Sequence, residues 1–136
     1  WGNARGAKWA QRRAQALEKS RGWSGGTTSV ARVRHKTTGV RQTWVATEAA
    51  GKNAPSNLRG SLRPNEFYIG GTGHAEETLT NALGSEWEIL YGGTSRNICI
   101  AICKPALNLL NLTIGGPIFK RARADKTKFR MFWYEP

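Results

Sequence analysis

The sequence has few cysteines and no long apolar run. Its two cysteines, Cys99 and Cys103, are too few for the disulfide framework that holds many small secreted domains together. Their spacing would also suit a disulfide poorly if both lie on one helix, which leaves metal binding or simple burial as their roles. No stretch is apolar for long enough to cross a membrane, and none has the layout of a signal peptide. These shortages exclude a disulfide-rich domain and a membrane-spanning helix, and thiolate ligands would suit a reducing compartment.

Acidic residues are also scarce. Nine Asp and Glu residues oppose 21 Lys and Arg residues, so the formal net charge is +12 at neutral pH. In a chain of 136 residues this excess favours a polyanionic partner, most simply nucleic acid. A basic protein that is merely soluble, or one that binds an acidic protein, is the alternative.

Length and composition indicate one folded domain over residues 1–136. The chain is long enough for one core, and its content of 39% hydrophobic and 10% aromatic residues excludes a disordered tail. It begins at Trp1 without a methionine, as expected of a domain trimmed from a longer protein.

Hydrophobic periodicity predicts that helices and strands alternate along the chain. A basic helix is expected over residues 3–21, with Trp9, Arg13, Ala16 and Leu17 near one face. The expected elements that follow are a β-hairpin (28–35 and 40–47), a long loop (49–64), a helix (73–83), a strand (86–91), a helix (98–110), a short apolar segment (112–114) and a second hairpin (118–123 and 128–134).

One stretch, from Gly73 to Cys103, concentrates the residues that can do chemistry. It contains His74, then Glu76, and later the only two cysteines of the chain. A zinc ion that activates water needs three protein ligands and one open position, which His74, Cys99 and Cys103 can supply. Glu76 beside the metal can then transfer protons. The cysteines are four residues apart, so both thiolates can point the same way from one helix.

Basic and polar residues are also present in the long loop before this stretch. Lys52, Arg59 and Arg63 are expected to hold a nucleic-acid backbone at the mouth of the site. Asn53 and Asn57 are candidates for hydrogen bonds to a sugar or a base edge, although asparagines that satisfy their own turn are at least as common.

Other features have competing interpretations. Arg12 and Arg13 could contact phosphate, or they could form a solvated helix face. The second histidine, His35, could be a ligand or a base, but no partner residues gather around it in the sequence, which favours a surface histidine on an edge strand. In the final hairpin, basic residues interleave with aromatic ones. That pattern suits single-stranded nucleic acid, but aromatics at strand spacing are more often core.

The element order and the ligand pattern resemble the zinc-dependent cytidine deaminase superfamily, whose signature is His-x-Glu followed by a cysteine pair. The residues that carry the resemblance are His74-Ala75-Glu76 and the segment 95–103, which reads SRNICIAIC. Two departures are Ile98, where the superfamily commonly has proline, and a gap of three residues between the cysteines, where two is usual. The terminal hairpin is similar, more narrowly, to the bacterial polymorphic-toxin deaminases, which are C-terminal toxin domains of secreted interbacterial effectors.

The resemblance implies an α/β fold of the cytidine-deaminase-like three-layer type, with a mixed five-stranded sheet flanked by helices and a C-terminal β-hairpin. It implies one zinc ion, held by the histidine and the two cysteines, and hydrolytic conversion of cytosine to uracil in single- or double-stranded DNA. Glu76 would move the protons in that reaction. Ala75, Ser95 and Arg96 are expected to contact the substrate, and Ser95 is also a candidate helix cap.

The resemblance further implies a cognate immunity protein, secretion as part of a larger effector, and action in the cytoplasm of a recipient cell. Deamination of RNA or of adenine is an alternative. A non-catalytic nucleic-acid-binding module with a structural zinc is another, although His35 would have to supply its fourth ligand. A nuclease toxin would need a further catalytic cluster, and the sequence contains no convincing one.

Overall fold

The computed structural model describes residues 2–20, 27–48, 56–71, 73–96, 98, 103–115 and 130–135, and at residues 20, 56, 57, 59, 103 and 104 the description covers the backbone. The elements in chain order are α1 (Gly2–Ser20), β1 (Thr28–His35), β2 (Arg41–Thr47), α2 (Ser56–Ser61), β3 (Glu66–Tyr68), α3 (Ala75–Leu83), β4 (Trp87–Thr94), α4 (Cys103–Leu109), β5 (Leu112–Gly115) and β6 (Met131–Tyr134).

Within these residues the strands form one mixed sheet in the order β3-β2-β1-β4-β6-β5. β3 runs parallel to β2, and every other neighbouring pair is antiparallel. The sheet therefore belongs to a mixed α/β protein, as the sequence predicts, but it has six strands where five were expected. The run around Phe67 was too short to indicate a strand by itself, and it becomes one because it pairs with the edge of β2.

The hairpin of β1 and β2 forms because apolar residues alternate with polar ones and a glycine closes the turn. Gly39 has a φ of 77°, a left-handed conformation that other residues seldom adopt, and its N–H donates to the His35 carbonyl at 2.9 Å. Val30 and Val45 point to one face of the sheet, whereas Ala31 points to the other. The predicted hairpin is confirmed, with β2 beginning at Arg41.

Helix α1 covers one face of the sheet through small side chains. Ala10, Ala14 and Leu17 are buried against Val30 of β1 and Val45 of β2. The helix backbone lies so close to β4 that a Cβ at Gly93 would collide with the backbone of Gln11. Of the face expected from periodicity, Leu17 is buried, but Trp9 and Ala16 are exposed, because the alanines rather than the tryptophan face the sheet.

Helices α3 and α4 cover the opposite face. Leu79 of α3 and Leu107 of α4 pack in one cluster with Ala31 of β1, Trp44 of β2 and Phe132 of β6. The described part of the chain thus has three layers, with α1 and α2 on one side of the sheet and α3 and α4 on the other.

Three sequence-based expectations need correction. The expected loop 49–64 contains the short helix α2. The partner of β6 in the terminal hairpin is β5, and β4 lies on its other side, while the expected strand 118–123 is outside the described residues. His35 ends β1, which lies between β2 and β4, so it is not on an edge strand. Each of these features depends on contacts between distant segments, which local periodicity does not report.

Candidate active site

Glu76 is a buried carboxylate in the first turn of α3. Its exposed fraction is 3%, and its Oε1 accepts a hydrogen bond of 2.9 Å from the Ser29 hydroxyl at the start of β1. Two acidic residues, Glu76 and Glu77, occupy this first turn, where the helix dipole favours negative charge. A carboxylate positioned in this way can transfer protons.

His74 is the residue immediately before α3, in the N-cap position. Its backbone is extended (φ −64°, ψ 149°), its carbonyl accepts the N–H of Thr78 at 2.9 Å, and its side chain caps nothing. The imidazole is about one-third exposed, and its Nδ1 lies 3.8 Å from Oε1 of Glu48. That distance is too long for a hydrogen bond, but it places a carboxylate in front of one ring nitrogen. The imidazole is therefore accessible, and it makes no capping hydrogen bond to the backbone of α3.

Ser95 joins the end of β4 to the start of β1. Its Oγ accepts the Thr28 N–H at 2.9 Å, and its own N–H donates to the Thr28 carbonyl at 2.8 Å. Ser29 is the next residue of β1. The two hydrogen bonds between Ser95 and Thr28 therefore fix the strand segment that carries Ser29, which donates to Glu76. The structure thus brings Ser95 close to Glu76 in the fold, but its hydroxyl is engaged with backbone.

Arg96 follows directly and is bound to α1. Its Nε donates to Oε1 of Glu18 at 2.8 Å, and its side chain is 44% exposed. This ion pair connects the C-terminal part of α1 to the end of β4, beside the start of β1 where Ser29 lies.

The remaining predicted ligands lie at the start of α4 and just before it. Cys103 is the first residue of α4, which packs against α3 through buried apolar residues, while Cys99 lies outside the described residues. Ile98, in the position before Cys99, is buried in the same cluster as Ala75. No group of three or more His, Cys, Asp or Glu side chains is gathered within the described part, which includes neither Cys99 nor the Cys103 side chain.

Of the predicted backbone-binding residues, the two that are described, Arg59 and Arg63, are not brought together with Glu76. Lys52 and Asn53 lie outside the described residues, and Asn57 and Arg59 are in α2. Helix α2 packs through Leu58 against the α1 side of the sheet, which is the face opposite α3. Arg63, just after α2, is exposed, and its N–H donates to the Glu66 carboxylate at 2.8 Å.

Arg13 is used inside the protein. Its guanidinium donates to both carboxylate oxygens of Glu66, at 2.8 and 2.6 Å, and to the Ser61 carbonyl. Burial by itself would raise the pKa of Glu66, but the hydrogen bonds from Arg13 and from the Arg63 N–H outweigh it, so that the pKa is lowered. The hydrogen bond to Glu66 raises the pKa of Arg13, against the opposing effect of burial. The pair joins α1 to the segment between α2 and β3.

An open groove of about 520 Å³ runs beside α3. It is lined by glycines 70, 71 and 73 and by Glu77, Thr78, Asn81 and Ala82. Neither His74 nor Glu76 lines this groove, although Gly73 precedes His74 in the chain. Gly71 has to be glycine, because a Cβ there would collide with the side chain of Thr78.

His35 is far from the candidate site. Ser29 and His35 are six residues apart along β1, which corresponds to about 20 Å at the usual rise of a strand. The His35 ring packs edge-on against Trp87 with centroids 5.0 Å apart, and its Nδ1 accepts the N–H groups of Thr37 and Thr38. These contacts give His35 a structural role at the turn of the hairpin.

Sequence reasoning missed Ser29 and Glu48, the residues that face Glu76 and His74. Ser29 occupies an inward-facing position near the start of an alternating strand, where a small polar residue needs a partner. Glu48 is the only acidic residue between Glu18 and Glu66, in a strongly basic part of the chain. Either signal can be seen in the sequence, but neither indicates which residue it faces.

None of the described helices is long and apolar enough to span a membrane. Comparisons of the chain with protein-family models, with curated proteins and with solved structures give no match.

Proposed function

We propose that this chain is a zinc-dependent cytosine deaminase that acts on DNA, converting cytosine to uracil with release of ammonia. The observation that carries the proposal is Glu76, a carboxylate that is 3% exposed, bound to Ser29, and two residues after an accessible histidine. Elsewhere in the described chain, the deeply buried carboxylate of Glu66 is neutralised by an arginine. Glu76 accepts a hydrogen bond from a neutral hydroxyl, and such a contact suits a group that must accept and release a proton.

The donor set fits zinc. An imidazole and two thiolates are ligands that zinc prefers, and three protein ligands leave one coordination position open. His74 at the beginning of α3 and Cys103 at the beginning of α4 belong to helices that pack on the same face of the sheet. Cys99 would be the third ligand. When bound, zinc would supply an activated water molecule to the reaction.

Glu76 would perform the proton transfers. It would take one proton from the attacking water as oxygen bonds to C4 of cytosine and deliver that proton to N3. It would then transfer the proton of the new C4 hydroxyl to the amino group, as the C4–N4 bond breaks and ammonia departs. Water supplies the oxygen of uracil, so the reaction needs no other reactant. Ser29 would position the carboxylate, because its hydroxyl donates to Oε1.

Glu48 would orient His74. A histidine that binds metal through one ring nitrogen usually has a carboxylate or carbonyl near the other, which determines the orientation and tautomer of the ring. Glu48 faces Nδ1 of His74 at 3.8 Å, so Nε2 would be the nitrogen that binds zinc.

The net charge supports a polyanionic substrate rather than a free nucleoside. At +12, the chain would attract the phosphates of DNA, and the target base would have to be unpaired or flipped for C4 to be reached. By the same proposal the chain is the toxin domain of a secreted interbacterial effector, acts in the cytoplasm of the recipient cell and has a cognate immunity protein.

The test compares the wild-type chain with Glu76→Ala on single- and double-stranded DNA that contains every cytosine context, followed by sequencing. We expect C-to-T conversion by the wild type and its loss in Glu76→Ala, with zinc content retained. Glu86→Gln is the matched control, because Glu86 is exposed at the other end of α3 and should leave conversion unchanged.

Conversion that persists in Glu76→Ala would contradict the role of Glu76. A zinc-loaded protein with no conversion on either DNA would contradict the DNA cytosine assignment, and RNA and adenine substrates would then be tested in the same way.

A further inference from the structure

The solvent side of α1 carries four basic residues. Arg5, Lys8, Arg12 and Lys19 are exposed, and their spacing of three, four and seven residues puts them along one side of the helix. From Arg5 to Lys19 this side is about 21 Å long, at the usual rise of 1.5 Å per residue. Glu18 is the only acidic residue of α1, and it is paired with Arg96.

Three of the charges on this side form no ion pair within the described residues. Lys8, Arg12 and Lys19 meet no carboxylate in the part of the chain that is described. Arg13, by contrast, points inward and forms an ion pair with Glu66. The helix therefore separates its cations into one internal ion pair and an outward-facing set.

A membrane surface is a poor partner for this helix. An interfacial helix binds by burying an apolar face in lipid. The apolar face of α1, which includes Ala10, Ala14 and Leu17, is already buried against the sheet. The partner must therefore be recognised by charge.

Trp9 adds an aromatic surface among the cations. Trp9 is 40% exposed, and its ring packs edge-on to Tyr91 with ring centroids 6.5 Å apart, which holds the indole in place. An exposed aromatic ring beside Lys8 and Arg12 is typical of proteins that stack bases and track a phosphate backbone.

The C-terminal end of α1 lies at the same end of the sheet as Ser29, although α1 covers the face opposite α3. Helix α1 runs along β4 in the same direction, with contacts that advance in step along the two elements: Gly6 against Tyr91, Gln11 against Gly93, and Glu18 against Arg96. Its C-terminal end therefore lies near Ser95, whose neighbour across the sheet is the strand that carries Ser29.

From these observations we propose that the outer side of α1, consisting of Lys8, Trp9, Arg12 and Lys19, binds the sugar–phosphate backbone of nucleic acid. This binding does not rest on the proposed function, because α1 covers the face of the sheet opposite α3, which carries Glu76.

The experiment measures the salt dependence of binding to single-stranded and duplex DNA by fluorescence anisotropy, in the Glu76→Ala background so that no substrate is converted. We compare the double variant Lys8→Gln/Arg12→Gln with Lys36→Gln/Arg41→Gln. Both lose one lysine and one arginine from exposed positions, but Lys36 and Arg41 lie at the hairpin turn, away from α1. Glutamine is a good helix former, and melting temperatures verify that each variant is folded.

We expect the slope of log Kd against log salt to fall by about 1.4 to 1.8 for the α1 variant, at about 0.7 to 0.9 for each of two lost phosphate contacts, and to change little for the hairpin variant. Equal effects of the two variants would overturn the proposal in favour of net charge alone. An unchanged slope for the α1 variant, or binding of an acidic protein but not DNA, would also overturn it. DNA binding through α1 without cytosine conversion by the wild type would remove the deaminase proposal and leave this one standing.

Discussion

The charge of Glu66 is stabilised mainly by Arg13. Its side chain is 1% exposed and that of Arg13 is 12% exposed, and the two form a bidentate ion pair. Removing one partner of a buried pair leaves the other charge uncompensated, so Glu66→Gln should lower the free energy of unfolding by about 3 kcal/mol. Urea unfolding at neutral pH measures this loss. Replacing both residues, as in Arg13→Met/Glu66→Leu, should restore much of it, and a double variant no more stable than Glu66→Gln would contradict the interpretation.

The same residue should make stability depend on pH. Because the pKa of Glu66 is lowered in the folded protein, its contribution is fully present above the ordinary carboxyl pKa of about 4.3 and is lost as pH falls through the lower folded value. The wild type should therefore lose more stability between neutral and acid pH than Glu66→Gln does. Equal losses, measured by urea unfolding over this pH range, would show that other carboxyl groups dominate.

Ser29 is the residue that positions Glu76. If the proposed function holds, Ser29→Ala should lower kcat by up to about 100-fold with KM little changed, because the carboxylate would lose its orientation but the substrate contacts would remain. Ser29→Thr keeps a hydroxyl and should recover part of the rate. A fall in melting temperature without a selective fall in kcat would assign Ser29 a purely structural role.

At the scale of elements, the contact of α1 with β4 depends on Gly93. A Cβ there would collide with the backbone of Gln11, which has no rotamer to change, so Gly93→Ala should destabilise the protein by about 1 to 3 kcal/mol. Gly60 in α2 is the control. Nothing lies within 4 Å of a Cβ at that position, and alanine there should be neutral or stabilise by up to about 1 kcal/mol. Thermal unfolding of both variants tests this, and similar effects of the two would contradict the close packing of α1.

Elements were predictable where one segment alone determines them. The helix α3 and the hairpin of β1 and β2 are encoded in contiguous residues, through periodicity and through Gly39 at the turn. The short strand β3 was missed because three residues carry too little pattern, and its pairing with β2 defines it. The buried face of α1 was misjudged at Trp9, because tryptophan is apolar but the close approach of the sheet requires alanine.

At the scale of the whole molecule, zinc would connect parts of the chain that are distant in sequence. A ligand that binds only the folded state stabilises it, by about 4 kcal/mol at a thousand-fold excess over its Kd. We therefore expect one zinc per chain, and a lower melting temperature after chelation. Cys103→Ser and His74→Ala should lose the metal, whereas His35→Ala should keep it because His35 lies at the other end of β1. A wild type without zinc, or a full zinc content in Cys103→Ser, would contradict the site.

What the sequence by itself determined is local. Its periodicity specifies which segments are helical or extended, its acidic shortage produces the net charge of +12, and its spacing predicts His74 and Glu76 around the start of one helix. Only the tertiary structure decided that Ser29 contacts Glu76, that Arg13 is buried in an ion pair while Arg12 stays outside, and that α1 covers the face of the sheet opposite α3. The physical reason is that a repeating pattern reports which side of its own element is apolar. Which other element covers that side is decided by backbone pairing and close packing between residues about fifty positions apart.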